Sequence, residues 1–373
     1  MNYYIIAGEA SGDLHASNLM KEIKQLDSYA EFRCWGGNKM EKQGAVLVKH
    51  YRDLAFMGFI EVLLNIKTIL RNINFCKKDI LKNKPDALIL VDYPGFNLRI
   101  AKFAKKHGIK VFYYISPQIW AWKKSRVHTI KKVVDRMFVI LPFEKDFYKK
   151  YNFDVDFVGH PLLDEISSDI TTNHEVFIQK HSLSAKPLIA LLPGSRKQEI
   201  SKILKVMLEI EPIYKDYQFV IAAAPSITLD FYKKHIGNTK IKIIYNHAYD
   251  LIKHSKAAVV TSGTATLETA LLETPEVVCY KGNYLSIQIA KRIIKIKFIS
   301  LVNLIMNREI VKELIQDDLN FDNLKTEMNK ILFDISNQER MQEDFKLLKE
   351  KLGVSGASKK TAQLIFKHLK SKV

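Results

Sequence analysis

The sequence predicts an α/β protein made of two doubly wound domains. Three observations carry this. Short apolar runs with few charges recur along the chain, amphipathic stretches lie between them, and the pattern restarts once near residue 187. Such runs read as parallel strands buried on both faces. Their alternation with helical patterns gives βαβ order and a parallel sheet with helices on both sides. The runs cover residues 3–7, 87–91, 111–115, 137–141, 188–192, 219–223, 241–245, 257–261 and 277–280, with amphipathic stretches such as 14–26 and 200–213 between them.

The domain boundaries follow from the restart. "FVGHP" closes the first series, a polar, strand-poor stretch follows, and Pro187 opens a fresh strand, glycine turn and helix. The expected domains are 1–163 and 187–335, with a linker at 164–186. A lysine-rich helical tail at 336–373 is expected to return to the first domain. Ligands of such sheets bind outside the carboxyl ends of the strands, so the two domains are expected to face a central cleft.

The bulk numbers exclude several classes. The chain has 373 residues, 47% of them hydrophobic and 26% charged, which is a folded globular composition. Its three cysteines, Cys34, Cys76 and Cys279, are far apart in sequence. That argues for a reducing compartment, and against a disulfide frame or a zinc site. No signal peptide is expected ahead of the first strand, and no stretch of 18 uncharged apolar residues exists. A cytoplasmic protein that does not span a membrane is expected. The net charge is +18. Between Arg99 and Arg136 stand 11 Lys or Arg and one acid, Asp135. A patch of this kind suits nucleic acid, an anionic membrane or a phosphorylated substrate, or is simply a lysine-rich surface.

Several loops are candidates for chemistry. In "LLPGSRKQEI" a strand runs into Gly194 and Ser195, with Arg196 at a helix start. Free amides at a helix N-terminus together with a guanidinium suit a diphosphate; an ordinary capped turn is the plain alternative. In "TSGTATLETAL" the strand ends at Ser262, Gly263 and Thr264. Ala265 and Thr266 follow, and Glu268 lies one turn in, where a carboxylate can hold a ribose. In "VDYPGFNLRIA" Asp92 ends a buried strand and can serve as a general base on a hydroxyl, or as a turn residue. "SPQIWAWKKSRV" places Trp120 and Trp122 beside Lys123, Lys124 and Arg126. These can hold a sugar and its phosphate, stack on bases, or pack in the core. His160 in "FVGHP" reads as structural, with a substrate contact as the alternative. The opening loop "AGEASGDLHA" resembles a phosphate loop but carries Glu9 and Asp13. Those acids repel a diphosphate and can accept from sugar hydroxyls, while Ser11 and the Gly12 backbone can donate. Ser11 or Asp13 is also a candidate helix cap. In "FMGFIEVLLNIKTILRNI", Phe59, Ile60, Leu63 and Leu64 with Lys67 and Arg71 read as an interfacial or acyl-lining segment, or as a core helix. No cluster has metal-ligand spacing.

"AGEASGDLHA", "VDYPGFNLRIA", "SPQIWAWKKSRV", "LPFEKDFY", "FVGHP", "LLPGSR", "TSGTATLETAL" and "SLVNLIMNREIVKELIQ" occur in this order. Together they resemble the lipid-A-disaccharide synthases, glycosyltransferases of the GT-B fold with two Rossmann-like domains. The resemblance runs from Ala7 to Gln316. It implies transfer of 2,3-diacylglucosamine from its UDP donor to the 6-hydroxyl of 2,3-diacylglucosamine 1-phosphate. The products are the β-1,6 disaccharide 1-phosphate and UDP. It implies inversion, with Asp92 as base and no cofactor or metal. Ser195, Arg196, Ser262, Gly263 and Thr264 would take the UDP, and Glu268 its ribose. By resemblance alone, Asn303, Arg308, Glu309 and Gln316 would contact donor or acceptor. Some relatives carry a second acid where this chain has Gly95, so a two-acid mechanism is not expected. Acylated substrates imply work at the cytoplasmic face of a membrane, and a homodimer is compatible with the resemblance. The rivals are another enzyme acting on UDP-N-acetylglucosamine, such as a 2-epimerase, and a basic nucleic-acid binder; no nucleic-acid partner is expected.

Overall fold

The computed structural model describes residues 1–53, 65–169, 173–237, 239–282 and 297–371. Phe59, Ile60, Leu63 and Leu64 lie outside them, as does the side chain of Trp122. The chain divides into two compact units. One holds Met1–Pro161 with Val354–Val373, the other Leu162–Gly353.

The strands of the first unit are β1 (Asn2–Ala7), β2 (Glu31–Gly36), β3 (Val46–His50), β4 (Ala87–Val91), β5 (Lys110–Tyr114), β6 (Arg136–Val139) and β7 (Asp156–Phe157), a parallel sheet in the order β3-β2-β1-β4-β5-β6-β7. Its central strands are β1 (Asn2–Ala7), β4 (Ala87–Val91) and β5 (Lys110–Tyr114). All five residues of β4 are buried, as expected for a strand covered on both faces. One face is covered by helices Ile66–Asn83, Pro94–Lys106 and Arg126–Val133. The other is covered by Ala10–Leu26 and by the C-terminal helix Ala357–Lys370, whose Ala362 and Ile365 are fully buried.

The second unit is a six-stranded parallel sheet in the order β10-β9-β8-β11-β12-β13. These strands are β8 (Leu188–Leu192), β9 (Gln218–Ala223), β10 (Lys242–Tyr245), β11 (Ser255–Thr261), β12 (Glu276–Tyr280) and β13 (Lys312–Ile315). Both sheets thus repeat one plan. The first strand of each unit is flanked by its second and fourth, so the order reverses between β1 and β4 and again between β8 and β11. A reversal opens a crevice at the carboxyl ends of those two strands.

The boundaries differ from the sequence reading in two places. Residues 164–186 are not a free linker. Helices Leu162–Asp169 and His174–Lys180 belong to the second unit, held by buried Leu162, Ile166 and Phe177. Helix Ile335–Leu352 also stays with the second unit through buried Met341, Phe345 and Leu348, so only residues from 354 onward return to the first. Strands β2 (Glu31–Gly36), β3 (Val46–His50), β7 (Asp156–Phe157) and β13 escaped the apolar-run criterion, since each carries charge or a histidine. In β2 the charges are Glu31, at its start, and Arg33, which forks onto Asp79 at 2.7 and 2.8 Å.

Candidate functional site

In the first unit the chemistry gathers at the β1/β4 reversal. Ala7 pairs with Val91, so the loops after both strands emerge side by side. Asp92 and Tyr93 both take left-handed backbone, with φ 43° and 47°. Such conformations cost about 1–3 kcal/mol each in non-glycine residues and persist only where surroundings enforce them. The enforcement is visible. The Asp92 carbonyl accepts from Asn97 Nδ2 at 2.7 Å and from Tyr113 Oη at 2.5 Å. The Asp92 amide donates to Tyr114 O at 3.2 Å, and the Tyr93 ring packs over Gly8, where a Cβ would lie 2.3 Å from it. The carboxyl of Asp92 is raised to about 6, by burial first and by the Glu9 charge second. The Tyr93 backbone amide and the charge of His15 oppose this.

Glu9, half-buried, is the N-cap residue of helix Ala10–Leu26, and neither Ser11 nor Asp13 caps that helix by its side chain. Asp13 is also unavailable to a sugar. It accepts from the amides of Gly37, Lys39 and Met40 at 2.8–3.1 Å and so caps helix Asn38–Lys42. Gly12 is buried, and a Cβ there would meet the Ala7 Cβ at 3.2 Å. Its role is close helix–strand packing. Ser11 is exposed. His160 is buried and stays neutral, lowered to about 3 by burial and then by the His15 charge.

The "SPQIWAW" loop leaves the carboxyl end of β5. Its Ser116 shares a hydrogen bond with Tyr148 Oη at 2.8 Å, and Trp120 meets Phe143 edge-on at 4.9 Å between ring centres. Beneath it lies Glu144, fully buried and raised to about 7 by burial, with the Leu141 and Ile140 amides, Ser116 and Trp120 opposing. Trp120 is therefore anchored packing. The loop carries exposed Lys123 and half-buried Arg126 forward.

In the second unit both phosphate-type turns flank the β8/β11 reversal. Gly194 has φ 107°, a conformation that favours glycine. A Cβ there would also meet Glu199 Oε2 at 3.1 Å. Ser195 is exposed, and Arg196 is the N-cap residue of helix Lys197–Glu209. Its guanidinium bonds Glu199 at 3.0 Å yet keeps 64% of its side chain exposed. Gly263 caps helix Thr264–Leu271 with open space above it, since an added Cβ would meet nothing within 4 Å. The amides of Thr264 and Ala265, at the start of that helix, have no intrahelical acceptor, whereas the Thr266 amide donates to Gly263 O at 3.3 Å. Two expected donors are already engaged. The Ser262 amide and hydroxyl donate to Cys279 O at 2.9 Å and Ile299 O at 3.2 Å, and buried Thr266 donates to Gly263 O at 2.9 Å. Glu268 is raised to about 7, by burial and then by the charge of Glu165, and it accepts from Tyr249 Oη at 3.3 Å.

The set expected by resemblance alone is split. Asn303 is fully buried and spends its amide inside the fold. It donates to Val311 O at 2.8 Å and Glu313 at 2.9 Å, and accepts from the amides of Ile310 and Val311. That makes it a structural clamp for the turn entering β13. Arg308 forks onto Asp344, and exposed Glu309 pairs with Lys312 at 3.3 Å. Both precede β13, at the amino end of the sheet. Gln316 follows β13, accepts from the Gly282 amide at 2.8 Å, and lies at the carboxyl end with the two turns.

Two residues that position the Asp92 turn escaped the sequence reading, Asn97 and Tyr113, as did His15, whose charge acts on Asp92 and His160. Asn97 left a signal, a polar side chain on the apolar face of helix Pro94–Lys106. The others did not.

These features define a class: two Rossmann-like units of the same strand order, a carboxylate loop in one and diphosphate-type turns in the other, make a GT-B type α/β enzyme. A UDP-N-acetylglucosamine 2-epimerase of Neisseria meningitidis, solved with UDP-N-acetylglucosamine, superposes with a TM-score of 0.69 at 13% identity over 100% of both chains. The glycotransferase of kitacinnamycin gives 0.67 at 12% identity over 98% of both. At these identities the likeness is one of fold.

The sequence comparisons are narrower. The family profile described as lipid-A-disaccharide synthetase matches residues 3–366. Lipid-A-disaccharide synthases of Geobacter sulfurreducens and Syntrophus aciditrophicus are 37% and 40% identical, over 99% and 98% of this chain and 97% of each relative. That of Nitrosococcus oceani is 41% identical over 96% of this chain and 94% of the relative. The chain belongs to the lipid-A-disaccharide synthase family: it is a glycosyltransferase that forms the lipid A disaccharide from a UDP-sugar donor and a phosphosugar acceptor.

Proposed function

We propose that the first unit supplies the base and the acceptor contacts, and that the second unit holds the UDP of the donor. The observation that carries this is Asp92. Its carboxyl is raised to about 6, and the backbone that bears it is locked in a strained turn at the sheet reversal. A general base works best with a pKa near the operating pH. The acceptor 6-hydroxyl gives its proton to Asp92 while its oxygen bonds the anomeric carbon of the donor. The bond from that carbon to the UDP oxygen breaks, and UDP leaves with the electron pair. Ser195, Arg196 and the first-turn amides after Gly194 and Gly263 meet the growing charge. Glu268 takes the ribose hydroxyls. Glu9, Ser11 and neutral His160 face the acceptor sugar, and Lys123 and Arg126 its phosphate. Asn303 acts through the fold and is not a substrate contact.

The direct test incubates purified protein with UDP-2,3-diacylglucosamine and 2,3-diacylglucosamine 1-phosphate. UDP and a β-linked disaccharide phosphate are expected. Folded protein that forms neither would refute the reading.

Association with the inner membrane face is part of the same proposal. Among the described residues no helix is long and apolar enough to cross a membrane. Helix Ile66–Asn83 exposes Phe75 and, on another side, Ile66, Leu70 and Leu81. At 3.6 residues per turn the last three fall on one side, flanked by Lys67, Arg71 and Lys78. Apolar contact plus basic charge supports peripheral binding to anionic lipid. Co-sedimentation with anionic vesicles is expected, and loss of it in the double variant Ile66→Ser/Leu70→Ser. Equal sedimentation of that variant would remove this helix from the account.

A further inference from the structure

The motif "LPFEKDFY" follows strand β6 and opens helix Pro142–Lys149. Its Glu144 is 1% exposed. One carboxyl oxygen, Oε2, accepts from the Leu141 amide at 3.0 Å and so caps that helix. The cap needs one oxygen only. The other, Oε1, is buried with no hydrogen-bond partner among the described residues, and so is Nε1 of Trp120 in the loop after β5. A buried polar atom left unpaired in a folded protein calls for a partner, and these two are neighbours. Burial pushes the Glu144 carboxyl up, and four donors act against it: the Leu141 amide, the Ser116 hydroxyl, the Ile140 amide and the Trp120 indole. Ser116 and Trp120 both belong to the "SPQIWAW" loop, so one acid faces that loop at two points.

The loop leads to the Asp92 turn. At its root Ile115 has left-handed backbone, with φ 64°. Ile119 is buried, and Trp120 packs edge-on against Phe143, the residue before Glu144. From there the chain is tied turn by turn. The Lys123 amide donates to Ile119 O at 3.1 Å and the Arg126 amide to Lys123 O at 3.0 Å, after which Val127 and Ile130 enter the core. A displacement at Trp120 is therefore passed on to Arg126. The Arg126 charge in turn reaches Tyr113. Burial, then the Asp92 and Tyr148 charges, hold the Tyr113 hydroxyl protonated, and Asn97 and then Arg126 oppose them. That hydroxyl donates to the Asp92 carbonyl at 2.5 Å.

We propose that Glu144 is a positioning residue for the acceptor phosphate: it accepts from the Trp120 indole and so fixes the turn that presents Arg126. This role rests on Arg126 being a phosphate contact, as proposed above. A glutamine would cap helix Pro142–Lys149 equally well, because one oxygen suffices for the Leu141 amide. What the carboxyl adds is a second acceptor, aimed at the loop. A glutamine would turn an NH₂ group toward the indole N–H, and two donors cannot bond.

The test measures KM for the phosphosugar acceptor and for the UDP-sugar donor in Glu144→Gln, Trp120→Phe and Arg126→Ala, and in each of the first two combined with Arg126→Ala. Trp120→Phe keeps a ring against Phe143, loses the indole N–H and leaves the helix cap intact, so it reads the contact even where Glu144→Gln does not fold. Each single substitution should raise the acceptor KM by about tenfold, the worth of one hydrogen bond to a charged group, and leave the donor KM in place. On the Arg126→Ala background, Glu144→Gln or Trp120→Phe should add less than about twofold, because both act through that guanidinium. Donor and acceptor KM rising together, a full rise that persists on the Arg126→Ala background, or an acceptor KM that Trp120→Phe leaves unchanged would each overturn the proposal. Arg126→Ala with the parent's acceptor KM would instead overturn the phosphate reading of Arg126, and this role with it.

Discussion

The two sheet reversals are built on one plan and carry opposite chemistry. At β1/β4 the turn residues are Asp92 and Tyr93, non-glycine residues held in left-handed backbone by Asn97 and Tyr113. At β8/β11 the turns use Gly194 and Gly263, and a guanidinium stands at the helix start. In the proposed reading the first reversal uses a strained turn to aim a carboxylate, and the second uses glycine backbone so that amides can approach an anion. A shared topology says where a ligand binds; loop charge and backbone freedom say which part of it.

The comparison breaks first, and hardest, at Asp92. Asp92→Asn should cut kcat by about 10²–10⁴-fold, the usual worth of a general base, with folding unchanged by circular dichroism. The clamp on the second unit comes next. Asn303→Ala strips partners from the buried Ile310 and Val311 groups, and thermal unfolding should report a loss of about 1–3 kcal/mol. A variant that lost turnover without losing stability would return Asn303 to the substrate. Gly194→Ala follows. It forces φ 107° onto an alanine and should cost upwards of about 1 kcal/mol, with weaker UDP binding in the same preparation. The smallest effect concerns pH. Asp92 must be ionised to act, so kcat/KM should fall as pH drops through about 6. The Glu9 charge raises Asp92, so Glu9→Gln should move that limb to lower pH. A limb that stays in place would detach Glu9 from the base.

Much of this was legible in the sequence. Strands 87–91 and 188–192 match to the residue, because a strand buried on both faces has no reason to carry polar side chains. The loops after them were found because glycine, proline and acid punctuate apolar runs. Strand β2 was missed because Arg33 interrupts its apolar run, and only the fold brings Asp79 beside it. Asp13 looked like a ligand group because its three amide partners lie 24 to 27 residues away. Tyr113 and His15 carry no local signal at all, since their importance comes from what the sheet brings next to them. Asn303 and Arg308 were marked only by resemblance, which registers that a residue belongs to a motif and is silent on whether it faces a substrate or the fold.

The division of labour between the two reversals is tested most directly by measuring UDP affinity in Asp92→Asn and Arg196→Ala side by side. Loss of the Arg196 guanidinium should weaken UDP by about 10–100-fold, the worth of one charge-assisted contact, whereas Asp92→Asn should bind UDP as the parent does while failing to turn over. UDP binding that survives in Arg196→Ala and collapses in Asp92→Asn would contradict the account.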